Sequence, residues 1–268
     1  MLMLPYHLTP EYGYGTFDRL AAGQLVRRNW HHFAFIAVVY CTIVLKLIEF
    51  KIQTNNRFDA MHFIWNVMLL AYSIWTTWMM WDAWVRLVEE SPDMSIIEYV
   101  RSPLYNDLTS YTRYVFIFSK ITEFGGTIMI LARGRVLKLI RWQHHLLAYG
   151  YACFEISSQY SRNSAMGFFV SADACVHVII YGWLVISASG IRTPARLKQL
   201  VSSMQAFQQY FVCWLICTAY NANVWCANGL LVHSWLLGCV CVWCMCVLHI
   251  FCPGMRRLEA NIAIDKHY

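Results

Sequence analysis

The sequence is short of charge. Asp, Glu, Lys and Arg together make up 13% of its 268 residues, against roughly 25% in soluble domains, which excludes an ordinary water-soluble fold. Its net charge of +6 is spread between apolar runs rather than gathered into a patch, so there is no nucleic-acid surface. The first eighteen residues have no basic n-region and carry Pro5 and Pro10, so they do not form a secretory signal. Targeting is expected to come from the first transmembrane helix. There is no internal repeat, no low-complexity tract and no second domain, and residues 1–268 read as a single integral-membrane unit. Cysteine is abundant, at eleven residues, but no loop holds a pair of them, so no structural disulfide is expected. Cys239, Cys241, Cys244 and Cys246 fall on more than one face of an apolar helix. They read as packing thiols, with metal binding or palmitoylation as the alternative.

What remains is apolar. Hydrophobic residues make up 59% of the chain, including twelve Trp, sixteen Tyr and fifteen Phe. Aromatics in such numbers suit the two interfaces of a bilayer. Spans of about 20 residues, the length that crosses a membrane as helix, can be read seven times, at about 33–49, 61–84, 111–132, 137–156, 165–187, 200–220 and 230–251. The expected fold is therefore all-α, with seven transmembrane helices. The second and third spans are joined by a polar loop containing Glu89, Glu90, Pro92, Asp93, Glu98, Pro103 and Asp107. Basic residues orient the bundle. Lys51, Arg57, Arg133, Arg135, Lys138, Arg141, Arg192, Arg196, Lys198, Arg256, Arg257 and Lys266 fall on one side. Only Arg19, Arg27, Arg28, Arg86, Arg101, Arg113 and Arg162 fall on the other. The positive-inside rule then puts the N-terminus in the lumen and the C-terminus in the cytosol.

Within residues 120–209 the apolar spans are interrupted by polar side chains at helical spacing. They are Lys120, Glu123 and Thr127; Arg141, His144 and His145; Asp173, His177 and Tyr181; and Ser202, Gln205 and Gln208. Each set lines one helix face. Placing such groups in hydrocarbon costs several kcal/mol unless they pair or line a wet cavity. Measured from the cytosolic ends of their spans, Glu123, Thr127, His144, His177 and Gln205 all lie within roughly 15 Å of that surface at 1.5 Å per residue. Four helices contributing polar groups at one depth describe a pocket open to the cytosol.

The same residues carry a resemblance. The run Lys120-x-x-Glu123-x-x-Gly126-Thr127 is similar to the K-x-x-E-x-x-D-T box of the ELO family of very-long-chain fatty acid elongases. Arg141-x-x-His144-His145 resembles that family's H-x-x-H-H box. Val176-His177-x-x-Ile180-Tyr181 resembles its V-H-x-x-M-Y box, with Asp173 where the family usually has Asn. Ser202-x-x-Gln205-x-x-Gln208 is similar to its T-x-x-Q-x-x-Q box. The four boxes occur in order and cover about a third of the chain. The resemblance implies a seven-helix enzyme of the endoplasmic reticulum membrane. It would condense a long-chain acyl-CoA with malonyl-CoA, giving 3-ketoacyl-CoA, CO2 and CoA. By the same resemblance the acyl group is held covalently on His144, with His177 its partner across the pocket and His145 beside it. Lys120, Glu123, Thr127, Arg141, Asp173, Tyr181, Gln205 and Gln208 would bind substrate. An imidazole can attack a thioester, donors such as Gln205, Gln208 or Lys120 can hold an enolate, and a water-poor cavity protects the intermediate. No cofactor and no metal is implied beyond the two CoA substrates. Partners implied are membrane lipids, the ketoacyl reductase and dehydratase of the elongation cycle, and a second copy of the chain.

Each group has a plainer reading. Lys120 and Glu123 are one turn apart and suit a structural ion pair, the glutamines suit helix–helix hydrogen bonds, and Tyr181 suits packing. The basic loop at Arg133, Arg135 and Lys138 suits topology as well as CoA phosphates. Two positions depart from the family. Gly126 replaces a carboxylate, and Arg141, which cannot act as a base, replaces the leading histidine. Arg141 shares a face with His144, where its charge either keeps that imidazole neutral or binds a CoA phosphate. These swaps motivate the alternative, a catalytically impaired homologue that scaffolds or regulates an active elongase. Di-iron chemistry needs roughly eight histidines, and of the ten present His7, His31, His32, His233, His249 and His267 fall outside the pocket. A proton or solute transporter is a further reading.

Overall fold

A computed structural model describes residues 6–7, 16–49, 59–95, 98–99, 102–134, 139–157, 166–191, 201, 203–204 and 207–208. Among these residues the chain is helical apart from one small ribbon, in which β1 (Tyr6–His7) pairs antiparallel with β2 (Thr16–Phe17). The helices are α1 (Arg19–Arg28), α2 (Trp30–Glu49), α3 (Asp59–Glu90), α4 (Pro103–Ala132), α5 (Leu139–Ser157) and α6 (Met166–Ala188). The first five expected spans correspond to α2 through α6. The sixth and seventh, with the Cys-rich run, lie outside the described residues. Among the described residues, three helices have the length and hydropathy of a span: Trp30–Ile48, Asp107–Ala132 and Met166–Ala188. Seven spans are therefore an expectation, while an apolar helical bundle is what is seen.

Two boundaries differ from the sequence reading for local reasons. Glu89 and Glu90 end α3 rather than belonging to the following loop, because a helix end in water accepts charge that a hydropathy window rejects. Pro103 and Asp107 lie in the first turns of α4. There Ser102 is the N-cap, its Oγ accepting from the Tyr105 N–H at 3.4 Å, and Pro103 occupies the position where its missing N–H costs nothing. Helix α1, not anticipated, is capped by Asp18, whose carboxylate accepts from Ala21 N at 2.9 Å.

Helix α3 is built inside out. Its buried residues are His62, Asn66, Leu69, Ser73, Thr76, Met80, Ala83 and Leu87, alternating by four and three, so they form one seam. That seam is mostly small or polar. The opposite face exposes Ile64, Val67, Ile74, Trp78, Trp81 and Val85. Small and polar side chains inward with large apolar ones outward is the distribution expected where the surroundings are lipid. The seam packs against α4 and α6, and α4 in turn packs against α5. Helices α1 and α2 cover the outside of α4 and α5. Tyr40 of α2 stacks on Phe124 of α4 with ring centroids 3.9 Å apart, and the Tyr149 hydroxyl of α5 donates to the Phe33 carbonyl at 3.0 Å. The result is a core of α3, α4, α5 and α6 whose interior faces carry the polar groups.

Candidate functional site

The three polar residues of α4 project at one-turn intervals toward α6. Lys120 is fully buried, and Glu123 and Asp173 are 3% and 1% exposed. Lys120 is more than half of an i,i+3 pair. Its Nζ lies 2.8 and 3.0 Å from the two oxygens of Glu123 and 2.5 Å from Asp173 Oδ2 on α6. One ammonium therefore ties two carboxylates from different helices, which stitches α4 to α6 by charge-assisted hydrogen bonds. Gln208 Nε2 donates to the remaining oxygen, Asp173 Oδ1, at 3.0 Å.

Three imidazoles converge on these two acids. His177, one turn past Asp173, places Nδ1 3.2 Å from Asp173 Oδ2 and 3.3 Å from Glu123 Oε1. His144 Nε2 lies 3.5 Å from Asp173 Oδ1. His145 Nδ1 approaches Glu123 Oε2 to 2.7 Å, although the angle is not that of a hydrogen bond. The rings are 5.5 to 6.5 Å apart, centroid to centroid. With neutral imidazoles, two carboxylates against one ammonium leave the cluster one negative charge in excess. A proton on one ring or a cationic substrate group would balance it.

Beside the cluster is a cavity of about 30 Å3, room for a water molecule or two, so a thioester has to displace side chains to occupy it. Glu123, His145 and His177 form one part of its wall, Tyr181 and Thr127 another. Tyr181 packs its ring 5.2 Å from that of His177. Thr127 bonds back to the Glu123 carbonyl at 3.4 Å. Gly126 also faces the cavity, next to the indole of Trp65, which donates Nε1–H to the Thr122 carbonyl at 3.1 Å. Of the residues singled out from sequence, the structure thus gathers Lys120, Glu123, Thr127, His144, His145, Asp173, His177, Tyr181 and Gln208. The Arg141 side chain and Gln205 lie outside the described residues.

The sequence reading placed no residue of α3 in the site. His62 and Asn66, buried at 7% and 3% exposure, line the same cavity. Arg133, at the C-cap of α4, places Nη1 3.0 Å from His62 Nδ1 and Nη2 2.5 Å from Asp59 Oδ1. Asn66 Nδ2 donates to the His62 carbonyl at 2.8 Å. The available signal was the seam of small and polar residues through α3.

His144, Asp173 and His177 offer three donor atoms within 4.8 Å of one another, a spacing a metal ion could use. Both oxygens of Asp173 are engaged, Oδ2 by the ammonium of Lys120 and Oδ1 by the Gln208 amide.

Comparison with known proteins assigns the lineage. A model of the ELO: GNS1/SUR4 family matches residues 25–253. The chain belongs to this family. It is similar to very long chain fatty acid elongase 6 of Drosophila melanogaster, with 24% identity over 285 aligned positions covering 100% of this chain and 79% of that one. It is 31% identical over 105 residues to human very long chain fatty acid elongase 3, covering 39% of this chain and 38% of the relative. Against the mouse elongase 3 it is 23% identical over 209 residues, 76% of this chain and 74% of the relative. No solved structure matches the chain.

Proposed function

We propose that this family member condenses a long-chain acyl-CoA with malonyl-CoA to give 3-ketoacyl-CoA, CO2 and CoA, through an acyl-imidazole intermediate. The observation that carries the reading is the convergence of three buried imidazoles on two carboxylates that a single lysine holds in place. In the first half-reaction a histidine nitrogen attacks the thioester carbon, the C–S bond breaks, and the imidazole proton leaves with CoA as its thiol. In the second, malonyl-CoA loses CO2 and the bonding electrons become an enolate. The enolate carbon attacks the acyl carbon, and the released imidazole regains a proton. One proton is consumed overall.

His144 is the proposed nucleophile. An Nε2–H turned toward Asp173 leaves the lone pair on Nδ1 to attack, and the carboxylate supports the charge that develops on the ring, as in an Asp–His pair of a hydrolytic triad. His177, held between Asp173 and Glu123, is its proton-transfer partner, and His145 completes the wall. Lys120 acts by holding both acids. Gln208 fixes Asp173 and, with Gln205, is a candidate enolate donor. Thr127 and Tyr181 shape the cavity, and Arg141 is a candidate to bind a CoA phosphate.

The active reading is favoured over an impaired homologue by the placement of charge. The family box has a carboxylate at position 126 and Asn at 173, whereas this chain has Gly126 and Asp173. The acid has moved from α4 to α6 while the number of acids is unchanged, and Lys120 still binds two. The enzyme would work in the endoplasmic reticulum membrane with its C-terminus in the cytosol. It would need no cofactor beyond its substrates, and would hand its product to a ketoacyl reductase and dehydratase. Membranes expressing the chain, incubated with labelled malonyl-CoA and a ladder of acyl-CoAs, should form labelled 3-ketoacyl-CoA. His144→Ala and His177→Ala should each lower the rate by about 100-fold or more. Full activity in both variants would overturn the mechanism.

A further inference from the structure

A second cavity lies against the face of α5 opposite its two histidines, bounded by α1, α2 and α5. It measures about 520 Å3, within the roughly 300–1,000 Å3 of small-molecule sites. Helix α1 is pressed to the end of α5, where a Cβ on Gly23 would stand 2.8 Å from the Ile156 carbonyl oxygen. Beyond the Asn29 cap, α2 is tied to α5 by the bond from the Tyr149 hydroxyl to the Phe33 carbonyl. Ala34, Ala37, Gly150 and Cys153 are too small to fill the space between them, which leaves a cleft. The cleft is graded along its length. Arg27, Trp30 and Ser157 line one end, and Ala37 and Leu146 the other. Ala37 is seven residues into the span that begins at Trp30, about 10 Å deeper. Arg27 is exposed. No described carboxylate bonds to it, whereas Arg19, Arg86 and Arg133 are bound to Asp107, Asp82 and Asp59.

We propose that this cleft binds a membrane lipid, an anionic glycerophospholipid whose acyl chain lies along α5 and whose phosphate is held by Arg27. Trp30 opens the α2 span, a place where an indole marks the membrane interface, so Arg27 stands at the level of the headgroups. Below it the walls are Val26, Phe33, Leu146, Leu147 and Phe154. Apolar walls of this kind do not hold water, and an acyl chain fills them from the bilayer. An apolar helix from a second copy of the chain would fill the channel but leave Arg27 without an anion. A soluble anion would satisfy Arg27 but leave the channel empty. An amphiphile does both. Arg27 and Arg28 both sit in the last turn of α1, where either cation favours the helix end. Both are exposed, and Arg27 is the one that lines the cleft. The inference does not depend on the condensation reading.

The test is binding, independent of turnover. Full-length protein in detergent, stripped of lipid, is titrated with phosphatidylglycerol and with phosphatidylcholine of the same acyl chains. Native mass spectrometry counts the lipid retained. Wild type should hold one lipid and prefer the anionic one by about tenfold, the scale of one hydrogen bond to a charged group. Arg27→Gln should bring the ratio close to one, while Arg28→Gln should leave it unchanged. Ala34→Trp, which fills the cleft, should lose the retained lipid of both kinds. Should that variant not fold, Leu147→Trp fills the cleft from α5 and should do the same. A wild-type ratio near one, an equal loss in the two arginine variants, or wild-type retention by the folded tryptophan variant overturns the proposal. So does a wild type that is dimeric in detergent and monomeric once the tryptophan is in place, because the cleft then holds a second copy of the chain.

Discussion

Helix α4 carries two buried cations seven residues apart, about 10 Å along its axis, and the two are surrounded differently. Arg113 is 6% exposed and is paired electrostatically with Glu155 of α5, itself 3% exposed. Their neighbourhood is aromatic: Tyr105 and Tyr151 are buried there, and the Tyr151 ring sits edge-on to Phe169 at 5.4 Å. One acid meets Arg113, and Arg19, the other cation that acts on it, is itself bound to Asp107. Lys120, two turns later, meets two carboxylates and three imidazoles beside a cavity. Burial of charge alone therefore does not mark a site. What distinguishes Lys120 is an unbalanced count of charge, several titratable groups that can share it, and space for a ligand.

The sharpest way to break this contrast is to remove Lys120. In Lys120→Met, Glu123 and Asp173 face each other without a cation in a buried setting. Condensation should fall by at least about 100-fold, and the protein should lose about 3–5 kcal/mol, the usual cost of orphaning one side of a buried ion pair. Product formation from labelled malonyl-CoA and thermal stability in detergent read the two effects. A variant that kept both rate and stability would reduce the cluster to ordinary packing.

The Arg113 pair should behave as structure only. Arg113→Met alone should cost about 3–5 kcal/mol by stranding Glu155. Replacing both, as Arg113→Met with Glu155→Met, should return stability to within about 1 kcal/mol of wild type, because apolar residues of similar volume substitute well for a buried pair. Condensation by the folded double variant should stay within about threefold of wild type. If its turnover fell as far as that of Lys120→Met, the distinction drawn between the two cations would be wrong.

The contrast also explains how far the sequence could be read. The cores of α3 to α6 were legible from hydropathy, because an apolar run of the right length has few alternatives. The cluster was legible because its members repeat at three and four residues within each helix, so Lys120 with Glu123, and Asp173 with His177, announce a face. Contacts between helices were not legible. Nothing local says that Lys120 reaches Asp173, 53 residues away, or that Arg133 reaches back 71 residues to His62. Arg113 shows the same limit from the other side. It counted toward the lumenal charge that orients the bundle, yet it is buried, and its partner lies on another helix. His62 and Asn66 escaped notice because two polar residues in a run with Ile64, Trp65 and Val67 look like tolerated interruptions until the whole α3 seam is seen.

The smallest effect expected concerns the departure at position 126. The indole of Trp65 lies against α4 at its Gly125-Gly126 step. A Cβ on Gly125 would stand 2.6 Å from Trp65 Cζ2, with two further ring atoms at 3.2 and 3.3 Å. The ring would have to shift and loosen its bond to the Thr122 carbonyl, so Gly125→Ala should destabilise by about 1–3 kcal/mol. A Cβ on Gly126 would lie 3.6 Å from the ring, an ordinary contact. Gly126→Ala should therefore be neutral or stabilising, by up to about 1 kcal/mol, since it removes the entropic cost of a helical glycine. Melting temperatures of the two variants decide the matter. Opposite signs mean that Gly125 is required by the indole, while Gly126 marks only the place where a carboxylate has been given up. Equal losses would mean that both glycines are held by packing, and the exchange of an acid at 126 for one at 173 would then lose its physical basis.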